Sequence, residues 1–184
     1  MVAAPTIASA KISLNLSYTM SQDEPAGLEV VGENANAGYT TLTFGNGTGL
    51  GEINLGIKST GFLPAGGDVT FDMAAMPKEI FYGSITGNFI NIKGVILTNT
   101  QTIPSSGATA LSLPYFTIRA TGTDAFTNLF NGGSGNVNVT PQSTWTHTNL
   151  LGTTVTSTNR YFSLLDSGSG VPYELAIVGV TGSS

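Results

Sequence analysis

Apolar and polar side chains alternate over residues 11–18, with Ile12, Leu14, Leu16 and Tyr18 on one parity and Ser13, Asn15 and Ser17 on the other. A period of two is that of a strand with one face against a core and one in water, so this segment is predicted to be a strand. The same period returns at residues 51–57 (Ile53, Leu55, Ile57), 68–73 (Val69, Phe71, Met73) and 135–139 (Val137, Val139). Residues 88–97 and 173–180 are denser in Ile, Val and Leu, the composition of strands covered on both faces. Shorter runs at 28–31, 40–44, 111–113, 116–120, 153–156 and 161–165 bring the expected total to about ten to twelve short strands.

Turn chemistry separates these runs. Glycine, Asn, Asp, Ser and Pro cluster at 45–49, 64–67, 104–107, 131–135 and 166–170. Glycine supplies positive φ there, while Asn, Asp and Ser bond their own backbone. Only residues 123–130 carry a helical pattern, with Thr123 or Asp124 as N-cap and Phe126, Leu129 and Phe130 on one face. One or two helical turns are expected at most. The fold class that follows is all-β, an antiparallel β-sandwich or jelly roll. No repeat or linker divides the chain, so residues 11–184 are expected to form one domain, preceded by a flexible arm at residues 1–10.

Composition sharpens the picture. Only 9% of the 184 residues are charged, against roughly 25% in an ordinary soluble domain. Wettability must come from 26 Thr, 17 Ser, 14 Asn and 24 Gly. With 40% hydrophobic residues, the chain has the material for a core and lacks the signature of disorder. A net charge of −5 and six scattered cations argue against nucleic-acid binding. The absence of cysteine removes disulfides, thiol catalysis and Cys-based zinc sites. No apolar run has the length of a membrane span, and the N-terminal residues do not read as an export signal, so neither address is expected.

Candidate chemistry is sparse. The single histidine, His147, shares a strand face with Trp145, a pair that could stack on a sugar, form an interface contact or simply half-expose itself on a strand. There is no Gly-x-Ser-x-Gly elbow to make His147 part of a hydrolase triad. Asp68 and Asp72, four apart on a strand, would stand roughly 13 Å apart, too wide for glycosidase chemistry. Asp23, Glu24, Glu29 and Glu33 form the acidic cluster, read as a loop calcium site or a solvated loop. Residues 45–51 lack the lysine of a phosphate-binding loop. LLDSG (164–168) and AIVG (176–179) resemble two motifs of retroviral-type aspartic proteases, but they lie only one hairpin apart, so Asp166 is predicted to open a turn. No catalytic residue, cofactor or metal is expected.

Two non-catalytic classes fit, an assembly protein and a carbohydrate- or receptor-binding adhesin module. Surface made of hydroxyls and amides costs less desolvation than charge when packed against a neighbour. The phrases LPAGGDVTFD (63–72), IKGVILTN (92–99), LGTTVT (151–156) and YELAIVG (173–179) resemble small β-sandwich virion structural proteins of tailed bacteriophages. That resemblance spans roughly residues 60–180 and implies a protein that decorates or cements a capsid or sits in the neck or tail. The expectation is therefore a virion protein assembled in the host cytoplasm, self-associating as a homotrimer on major capsid subunits. Met1, Val2 and Pro5 of the arm, with Trp145 and His147, are the expected contact residues.

Overall fold

A computed structural model describes residues 9–14, 21–22, 30–31, 40–80, 83–103, 113–120, 122–130 and 135–181. Its strands are β1 (Ser9–Leu14), β2 (Ser21–Gln22), β3 (Val30–Val31), β4 (Thr40–Asn46), β5 (Glu52–Ile53), β6 (Leu55–Leu63), β7 (Asp68–Asp72), β8 (Met76–Ile80), β9 (Gly83–Gly87), β10 (Phe89–Asn99), β11 (Phe116–Arg119), β12 (Asn136–Val139), β13 (Thr144–Thr154), β14 (Tyr161–Asp166) and β15 (Val171–Thr181). Among the described residues one 3-10 turn, Thr127–Phe130, accompanies them. The protein is an all-β antiparallel sandwich. One sheet has the order β13-β10-β15-β6 and the other β12-β11-β14-β7, with every neighbour antiparallel.

The alternation seen in the sequence decides what meets between the sheets. From β15 come Val171, Tyr173, Leu175 and Ile177, from β10 Ile92, Val95 and Leu97, and facing them lie Phe71, Phe116, Ile118, Phe162 and Leu164. Phe71 and Phe162 are register partners whose rings stack at 5.1 Å, and Tyr173 meets Phe71 edge-on at 5.9 Å across the core. Each fully buried side chain of this size contributes about 1.5–3 kcal/mol from burial alone. Asn99, fully buried, ties the layers together: its Nδ2 donates to Val139 O at 3.0 Å, and its Oδ1 accepts from Gln101 N at 2.9 Å.

A third, smaller layer explains the densely apolar strands. β1 pairs antiparallel with β4, and β4 runs parallel to β5. Phe44 and Ile53 from this sheet pack on Ile96 and Val178, which lie on the far face of the first sheet. β10 and β15 are thus covered on both sides along part of their length. Beneath the β4–β5 turn, Lys93 is buried and donates to Gly49 O at 2.5 Å.

Several boundaries differ from the sequence reading. Pairing of β1 begins at Ser9, inside the stretch expected to be an arm, because Ser9 and Ala10 already oppose Gly45 and Phe44. The short helical turn expected within residues 123–130 is present as a 3-10 turn confined to Thr127–Phe130, with Ala125 bridging Tyr161 and with Phe126 and Leu129 buried. Leu113 lies in a bend, and residues 153–154 belong to the long β13 rather than to a separate strand. The β8–β9 hairpin was not predicted, since Pro77, Lys78 and Glu79 break any alternation there. The turn cluster at 104–107 lies outside the described residues.

Candidate functional site

The site is built on β13, which bonds β10 on one side and, among the described residues, no strand on the other. Its residues alternate between two environments: Thr144, Thr146 and Thr148 are exposed, while Trp145, His147 and Asn149 are partly buried toward the sandwich. No charged residue occurs between Thr144 and Thr154. On the outer face Thr144 Oγ1 lies 3.0 Å from Thr98 Oγ1 of β10.

Inside the edge, three rings line up. Phe130, from the 3-10 turn, stacks on Trp145 at 5.9 Å with an interplanar angle of 28°, and Trp145 stacks on His147 at 6.2 Å and 18°. The His147 Nε2 lies 3.1 Å from Thr153 Oγ1, which accepts a long hydrogen bond from Asn149 Nδ2 at 3.4 Å. The Thr153 hydroxyl proton is then free to point at a neutral Nε2. Burial holds the His147 imidazolium form back, so its pKa lies below the ordinary histidine value of 6.5. Trp145 and His147 are brought together as the sequence suggested, but Trp145 is partly buried and its ring is engaged by two neighbours.

Beyond His147 the strand swells. Gly94 opposes Thr148 while Ile92 opposes Thr153, so residues 149–152 all stand against Lys93. Gly152, at φ 87°, permits the fold-back, and Asn149 holds it by accepting Leu151 N at 3.1 Å and donating to Gly152 O at 3.1 Å. Leu150 and Leu151 are carried outward, Leu151 being 77% exposed. Sequence reading missed this protrusion; the adjacent leucines before a glycine were its signal.

The carboxylates are committed elsewhere. Asp166 Oδ2 accepts the backbone N–H groups of Gly66, Gly168 and Gly170 at 2.8, 2.7 and 3.1 Å, bracing the β6–β7 and β14–β15 turns. Burial works against its ionisation, yet these donors more than compensate and hold its pKa below the usual carboxylate value. The protease-like phrase around it is therefore a turn, but not the hairpin its spacing suggested, because β14 and β15 lie in opposite sheets and Asp166 opens a connection from one to the other. Asp72 accepts from Arg160 Nε at 2.7 Å and from Arg160 Nη2, while the guanidinium lies 5.0 Å from the Tyr161 ring centre. Its desolvation is likewise outweighed, by Arg160 and by the Ala74 N–H, and its pKa is lowered. Asp72 is thus paired within the fold rather than simply facing solvent, whereas Asp68 is exposed.

Met1, Val2 and Pro5, and the acidic residues Asp23, Glu24, Glu29 and Glu33, lie outside the described residues. Among the described residues no group of three metal-ligating side chains comes together, and no helix is long and apolar enough to cross a membrane. Comparison of the chain with family models, with curated proteins and with solved structures gave no match in any of the three.

Proposed function

We propose that this chain is a virion structural protein, a capsid decoration or cement subunit that stabilises a particle through protein–protein contacts and carries no catalytic centre. The observation that carries the reading is the edge strand β13, which presents Thr144, Thr146 and Thr148 and then Leu150 and Leu151 with no charge along its length. Natural edge strands are usually protected by lysine, proline or a covering element. An uncharged edge with apolar side chains at its tip can be buried at low desolvation cost, which suits a subunit made to be covered by neighbours. The likeness of residues 60–180 to small tailed-phage virion proteins supports the same class.

The competing reading, a carbohydrate- or receptor-binding module, needs an aromatic face open to a sugar ring. Trp145 is the natural candidate, and its stacking on Phe130 and His147 speaks against it. The test is sedimentation and negative-stain imaging of the purified chain mixed with undecorated tailed-phage capsids. Co-sedimentation and added density on the particles are expected. A chain that never associates with particles, and instead gives glycan-array signals that vanish in Trp145→Ala, would overturn the proposal in favour of the sugar-binding module.

A further inference from the structure

The phase of the β10–β13 ladder decides which backbone groups of β13 are free. Asn99 N donates to Ser143 O at 3.0 Å, and Ser143 stands opposite Asn99 one step beyond the Thr98–Thr144 pair. Hydrogen-bonded pairs alternate along an antiparallel ladder, so Trp145 and His147 direct their N–H and C=O groups at β10. Those of Thr144, Thr146 and Thr148 point the other way, off the edge of the sheet that no described strand covers.

The segment Thr144-Trp145-Thr146-His147-Thr148 has the same pattern in both directions about Thr146. A two-fold axis at Thr146 places Thr146 opposite Thr146 of a second copy and Thr144 opposite its Thr148. Every residue with outward-pointing backbone groups then meets another such residue, and each pair can exchange two N–H···O bonds. A shift by one residue would break this match. On the outer face threonine meets threonine. On the inner face Trp145 meets His147 of the second copy at the close, non-hydrogen-bonded spacing, which continues the aromatic row from one sandwich into the next. The strand has no charge, so no like-charge pair opposes the contact.

We infer that β13 is a self-association edge: two copies pair antiparallel about Thr146, joining the β13-β10-β15-β6 sheets into one continuous sheet. The partner is a second copy of this chain, because the two-fold register matches both the hydrogen-bonding phase and the side-chain chemistry of the strand. The inference deepens the structural-subunit reading and rests on it for its biological purpose. It also replaces the expected trimer with an isologous contact.

Three variants of the full chain test it. Thr146→Pro removes an N–H that β10 does not use, and proline is tolerated on strand edges whose N–H faces solvent. Thr146→Lys puts like charges face to face on the axis. Thr146→Cys exploits the absence of native cysteine, since a hydrogen-bonded antiparallel pair brings Cα atoms to about 5.5 Å, within disulfide reach. The wild type should sediment at twice the 18.9 kDa of one chain. Thr146→Pro and Thr146→Lys should sediment as monomers with unchanged far-ultraviolet dichroism. Thr146→Cys should oxidise to a covalent dimer, whereas Thr60→Cys, on exposed β6, should not. A wild type that self-associates but is unaffected by all three changes overturns the edge contact and leaves the structural-subunit reading intact. A wild type that binds capsids yet is monomeric at every concentration also overturns the contact alone. A chain that is monomeric and binds no capsid overturns both.

Discussion

Asp166 offers the sharpest test of how the sandwich is held together. Its Oδ2 takes three backbone N–H groups from two turns, and its Oδ1 is buried with no hydrogen-bond partner among the described residues. In Asp166→Asn the shape is kept but the charge is lost. Bonds to a charged acceptor contribute about 1.5–3 kcal/mol each and neutral ones about 0.5–1.5, so each of the three weakens by about 1 kcal/mol. The new amide N–H₂, placed where Oδ1 was, meets no acceptor and adds a further penalty. Because the three bonds share one atom and are not additive, the net loss is about 3 kcal/mol at neutral pH. For a chain of this length that corresponds to a fall in Tm of about 6–12 °C. The pH dependence carries the sign. A carboxyl whose pKa is depressed in the folded state contributes stability above its unfolded pKa and loses it as pH falls through the folded value. The gap between wild type and Asp166→Asn should therefore be full at pH 7 and close progressively below about pH 3.9. Urea melts at pH 7 and at low pH measure it. A difference under about 0.5 kcal/mol at pH 7, or a gap that does not narrow in acid, would refute the reasoning.

Other consequences can be checked in the same assays. Arg160→Met leaves Asp72 partly buried without its two-point partner and should cost about 1–2 kcal/mol in urea melts at pH 7, with the loss disappearing in acid as Asp72 protonates. His147, whose pKa is lowered by burial, should make wild-type stability fall as pH drops below 6.5 toward the folded pKa, a loss absent in His147→Gln. Gly179→Ala would push a methyl to 2.2 Å from Asn91 O, a backbone atom at the β10–β15 irregularity, and should lower stability by more than about 3 kcal/mol or abolish soluble expression.

Much of the sandwich was legible because strand burial has a period of two. Val69, Phe71 and Met73 announced β7, and Ile53, Leu55 and Ile57 announced their segment. The dense runs in β10 and β15 signalled cover on both faces, which the β1-β4-β5 layer supplies at Ile96 and Val178. What the sequence concealed depends on partners distant in the chain. Nothing local marks Lys93 as buried, because its carbonyl partner, Gly49, comes from a glycine-rich turn in another layer. Nor could alternation reveal that Ile53 turns away from the core shared by Leu55 and Ile57, since Asn54 breaks the strand between them. For the site, the pairing of Trp145 with His147 followed from parity alone. The contribution of Phe130, the fold-back of residues 149–152 and the edge position of β13 required the strand order.

The central claim is that this is a building block whose uncharged edge pairs with itself. Site-resolved amide hydrogen exchange reads that edge directly. The amides of Trp145 and His147, bonded to β10, should be protected at every protein concentration, whereas those of Thr144, Thr146 and Thr148 should become protected as concentration rises and dimers form. Fast exchange of the three threonine amides at concentrations where the chain is fully associated would contradict the account.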